Sequence, residues 1–81
     1  MPRLSSKADK DRKLVQLGVA IRDRRREVGL TQEELAGAAS VERSNMGKIE
    51  RGENNLSVLN LARIAEALDC KAADILFAAE L

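Results

Sequence analysis

A chain of 81 residues is one domain at most, and at this size it buries only roughly 60–65% of its unfolded surface. With one Phe and no Trp or Tyr, the core must come from Leu, Ile, Val and Ala, which favours a helical bundle over a sandwich rich in aromatic and β-branched residues. The absence of His and the single Cys exclude an intrachain disulfide, a His/Cys metal site and a Ser–His or Cys–His nucleophile, so neither a cofactor nor an enzymatic activity is expected.

The net charge of +1 hides an asymmetry: residues 1–30 carry nine Lys/Arg against four Asp/Glu, and residues 31–81 carry five against nine. A basic amino-terminal half points to a polyanionic partner. Residues 1–12, MPRLSSKADKDR, are polar, mixed in charge and without periodicity, and read as a flexible arm; Arg3, Lys7 and Lys10 could reach along a groove. The domain proper is expected over residues 13–81. From Lys13, Leu14, Leu17, Ile21 and Val28 recur on one helical face with Ala20 beside them, and Gly29 ends the run. Gly18 weakens this helix by about 1 kcal/mol relative to Ala and marks a place where another helix could come close.

Thr31 opens a second helix, with Glu34 three residues on completing a capping-box signature before Leu35. Leu35, Ala36 and Ala39 give its buried side. Ser40 and Val41 interrupt it, and a third helix runs to about Arg51, ended by Gly52. Residues 53–56 are loop. Ser57 caps a fourth helix in which Val58, Leu61, Ala65 and Leu68 share a face, flanked by Ile64. Cys70, in "ALDCKA", reads as an inert core thiol. A fifth, terminal helix follows in "KAADILFAAEL". No apolar run reaches signal-peptide or membrane length, which points to a soluble cytoplasmic protein. The expected fold is all-α, five short helices with brief connections.

The stretch VERSNMGKIERG, residues 41–52, stands out. Met46 and Ile49 supply a buried stripe, while Arg43, Ser44 and Lys48 leave an outer face without the Glu–Lys pairs usual on small domains. "GLTQEELAGAASVERSNMGKIERG" resembles the helix-turn-helix family of lambda-type phage repressors and Cro, which includes restriction–modification controller proteins. The likeness continues through "SVLNLARIAEAL" and covers roughly residues 14–77. It implies a five-helix DNA-binding domain, usually dimeric, that docks its third helix in the major groove.

The chemistry of the residues agrees. The groove, about 12 Å wide, admits one α-helix, and Arg43 can fork onto guanine O6 and N7 for about 1–3 kcal/mol of discrimination. Ser44 can donate or accept, Lys48 reaches guanine or phosphate, and Asn45 reaches a base or the backbone. Gly47 would let the helix lie close to the duplex. The resemblance assigns phosphate binding to Gln32, and Arg51, Asn54 and Asn55 are placed to grip the backbone from the other side. It also pairs Arg25 with Glu50, tying the first helix to the third. Two positions depart from the family pattern. Ser40 stands where Gly is usual in the turn, and Glu42 stands where Ser or Thr usually caps the third helix.

Ile75, Leu76 and Phe77 exceed what one face of a short helix hides, and Leu81 extends the surface; packing under the first helix takes some of these four, and the homodimer contact is expected from the remainder. Two reading helices about 34 Å apart would then meet successive major grooves of a near-palindromic operator. The expected function is a sequence-specific transcriptional regulator acting on double-stranded DNA, with RNA polymerase or another protein as a further partner and no membrane. The rival is an antitoxin-type interaction module with autoregulatory DNA binding.

Overall fold

The first helix, α1 (Lys13–Val28), begins where the computed structural model begins to describe the chain, at residues 12–81. The arm expected over residues 1–12, with Arg3, Lys7 and Lys10, therefore lies outside the described residues apart from Arg12. At the other end of α1, Gly29 takes φ 89°, and its N–H donates to the carbonyls of Arg25 and Arg26. The Leu30 N–H returns to the Arg25 carbonyl at 3.1 Å, and the Leu30 side chain folds against the core. This glycine-led stop carries an apolar residue back under the helix. Val28, expected in the stripe, is instead 41% exposed, because the last turn of α1 overruns the core and Leu30 takes its place.

The capping box at Thr31 forms in full. The Glu34 N–H donates to Thr31 Oγ1 at 3.0 Å and the Thr31 N–H to Glu34 Oε1 at 2.8 Å, satisfying two of the donors that a helix start leaves open. Helix α2 (Gln32–Ala39) then buries Leu35, Ala36 and Ala39. It ends on Ser40, which adopts φ 59° and ψ 42°, with the Val41 N–H closing onto the Ala36 carbonyl at 2.9 Å. The turn keeps the shape that glycine would give it, with serine in the left-handed region.

Helix α3 (Arg43–Glu50) turns Met46, Gly47, Ile49 and Glu50 inward. Its last turn rests on α1 so closely that a Cβ at Gly18 would lie 2.5 Å from the carbonyl oxygens of Ile49 and Glu50. Gly52 follows at φ 74°, where a Cβ would meet Val15 Cα at 2.6 Å. Two glycines therefore let the start of α1 and the end of α3 touch through backbone.

Ser57 caps α4 (Val58–Ala67) by accepting the Asn60 N–H at 3.0 Å. The buried stripe is Leu61, Ile64, Ala65 and Leu68, with Ile64 fully buried and Val58 82% exposed. The expected face is thus turned: Ile64 lies at its centre, and Val58 precedes the first residue that reaches the core. Helix α5 (Ala72–Ala78) starts with Asp74 accepting the Lys71 N–H at 2.9 Å. Helix α1 packs on α3 and α5, α2 on α3 and α4, and α4 on α5. Ile21, Leu35, Met46, Ile64 and Leu68 are the large, fully buried side chains at their meeting point. The described residues form five helices without a strand, and no helix among them is long and apolar enough to cross a membrane.

Candidate nucleic-acid interface

Helix α3 is held from one side by α1 and α2, and its remaining surface is polar. Arg43 opens the helix, beyond the reach of the core, and Ser44 and Lys48 follow four residues apart; all three are exposed. Among the described residues neither Arg43 nor Lys48 enters an ion pair. Ser44, Asn45 and Lys48 share a shallow depression with Glu42 and Asn60. Glu42 occupies the N-cap position without a capping hydrogen bond, so its exposed carboxylate meets the helix start only through the dipole.

Asn45 is half-buried, and its Oδ1 accepts from Asn54 Nδ2 at 2.6 Å. The loop after α3 thus reaches back and steadies a residue of the helix. Asn54 acts within the protein here, whereas Asn55 is exposed.

Glu50 is the structural centre of the region. Arg25 Nε donates to Glu50 Oε2 at 2.8 Å and Arg25 Nη2 to Oε1 at 3.1 Å, while Arg25 Nη1 donates to the Leu30 carbonyl at 3.0 Å. The two side chains are only 12% and 3% exposed. Gln32 Nε2 adds a third donor to Glu50 Oε1 at 3.0 Å. One carboxylate therefore joins α1, the start of α2 and the end of α3, and its burial is compensated by the planar, bidentate Arg25 fork and a single Gln32 donor.

Gly47 is buried and does not face outward as the sequence suggested. A Cβ there would stand 3.2 Å from Arg51 Nη1 and 3.4 Å from Gln32 Oε1. The missing side chain makes room for those two residues. Gln32 and Arg51 consequently converge over Gly47 on one side of α3, not on opposite sides. Arg51 is not free: its Nε and Nη2 donate to Glu53 Oε2 and Oε1 at 3.0 and 3.2 Å. That hydrogen-bonded pairing lowers the Glu53 carboxyl below the usual range, with Lys48 contributing more weakly, and raises Arg51 further. Glu53 was not singled out from sequence. Its signal was the Arg–Gly–Glu order, since a left-handed glycine turns the chain so that the flanking side chains face each other.

Of the other arginines, Arg24 donates to the carbonyls of Leu68 and Asp69 at 3.3 and 3.4 Å, serving the C-terminal end of α4. Cys70 is half-buried beside the core, not within it; burial pushes its thiol up, opposed by nearby Arg24. In α5, Ile75 is 2% exposed and belongs to the monomer's own core, so it drops out of the expected contact surface. Leu76 is half-buried against that core, while Phe77 and Leu81 are 86% and 47% exposed.

A helix-turn-helix family model matches residues 21–75, a span that includes α2 to α4 and the network around Glu50. An uncharacterised HTH-type transcriptional regulator of Methanothermobacter thermautotrophicus is 46% identical over 48 residues, covering 59% of this chain and 70% of that protein. The restriction-modification controller protein C.AhdI from Aeromonas hydrophila superposes with a TM-score of 0.78 at 38% identity, over 79% of this chain and 97% of its own. The clp gene regulator ClgR from Corynebacterium glutamicum gives a TM-score of 0.82 at 35% identity, over 84% of this chain and 72% of its own.

Proposed function

The chain belongs to the helix-turn-helix family and is a DNA-binding transcriptional regulator, not an enzyme, and on that premise we propose that it reads operator DNA with α3 in the major groove, as a homodimer. The observation that carries this reading is the division of α3: one side is locked to α1 and α2, and the other offers Arg43, Ser44 and Lys48 without internal partners. Arg43, Ser44, Lys48 and the steadied Asn45 read base edges. Gln32, anchored on Glu50, and Arg51 hold phosphate from the shared position over Gly47. Phe77, Leu81 and the outer part of Leu76 form the contact between two copies and set the reading helices about one turn of duplex, roughly 34 Å, apart.

Selection of duplexes from a random pool by the purified protein tests this directly. The expected product is a near-palindrome with half-sites centred 10–10.5 base pairs, or a multiple, apart. Arg43→Ala should relax preference at one position of each half-site, worth about 1–3 kcal/mol, whereas Gln32→Ala should weaken binding to all sequences alike. An Arg43→Ala protein that selects the same motif with the same stringency would remove α3 as the reader.

A further inference from the structure

Arg51 and Glu53 form a two-pronged pair on the surface, where both side chains are more than half exposed at 58% and 53%. Exposed pairs of this kind contribute little to folding, and this one joins residues two apart across Gly52, so it ties no distant elements together. Its position is more informative than its strength. The guanidinium lies over Gly47 beside the Gln32 amide, which in turn is held by Glu50. A carboxylate that fills two N–H donors of an arginine uses the same planar fork that a phosphate would.

We propose that Glu53 is an internal substitute for a DNA phosphate: in the free protein its carboxylate occupies the Arg51 fork, and a duplex must displace it to be gripped there. This rests on the DNA-facing assignment of α3 and its flanks given above. Phosphate contacts carry no sequence information and supply essentially all non-specific affinity. Glu53 therefore weakens binding to operator and to bulk DNA by the same factor, lowering affinity without changing the ratio between them. Its effect depends on Arg51, which separates displacement from plain repulsion between a carboxylate and the duplex.

A double-mutant cycle reads this out. Fluorescence anisotropy is measured for wild type, Glu53→Gln, Arg51→Ala and the double variant, on the duplex selected from the random pool and on a random-sequence duplex of equal length. Glu53→Gln should tighten binding to both duplexes by about two- to five-fold, the range that exposed pairs carry. The slope of log affinity against log salt should change little, because Arg51 holds its phosphate in both complexes and releases the same counterion. In the Arg51→Ala background the gain should shrink to less than half on a logarithmic scale. No gain, or an equal gain with and without Arg51, overturns the proposal while leaving the groove-reading function intact. If wild type selects no motif and binds with no salt dependence, both fall together.

Discussion

At the scale of single residues, the burial of one carboxylate decides most. Glu50 shares the inward arc of α3 with Met46, Gly47 and Ile49, and three donors from Arg25 and Gln32 compensate it. Removing it leaves the largely buried Arg25 side chain with only the Leu30 carbonyl. Glu50→Ala should therefore cost about 3–5 kcal/mol in urea unfolding. It should also weaken DNA binding beyond the loss of folded protein, because Gln32 loses its anchor. Cys70 behaves as burial dictates. With its thiol raised, less thiolate is present at neutral pH, so a thiol reagent near pH 8 should modify it more slowly than in the urea-unfolded chain. The Arg25–Glu50 contact was visible in sequence only through family resemblance. The role of Gly47 was not visible, because an outward-looking glycine and one that makes space for neighbouring side chains are written alike.

At the scale of elements, the boundaries were legible where an end is chemistry and illegible where it is geometry. Thr31 with Glu34, Ser57 and Gly29 each solve a local hydrogen-bonding problem, and each sits at the end that the sequence indicated. Val28 and Val58 continue an apolar rhythm past the point where the partner helices stop, and periodicity carries no information about where that point lies. Ser40 shows the same limit in the turn, where a left-handed conformation is held by a residue that resists it. Ser40→Gly should raise stability by about 0.5–1 kcal/mol, a left-handed penalty relieved less glycine's greater chain entropy. Gly52→Ala should do the reverse by about 2–4 kcal/mol, since it adds a positive-φ penalty to an overlap with the Val15 backbone. Chemical denaturation with an unchanged m-value checks both.

At the scale of the whole molecule, a core of aliphatic side chains closes around five helices, yet Phe77, the chain's one aromatic ring, remains on the surface with Leu81 nearby in sequence. On the dimer reading, Phe77→Asp should yield monomers in sedimentation and broaden operator recognition toward single half-sites. Ile75→Asp should unfold the protein, since Ile75 is core. The backbone contacts through Gly18 and Gly52 have a mechanical consequence. With carbonyls of the last turn seated directly on α1, no long side chains are interposed there to absorb sliding of α3. If α3 reads the groove as proposed, it and its platform approach a binding site as one rigid casting. On the proposed dimer and two-half operator, a half-site separation that is slightly wrong is met by bending the duplex or by rocking at the seam between copies, and tolerance to spacing should follow the stiffness of the intervening base steps.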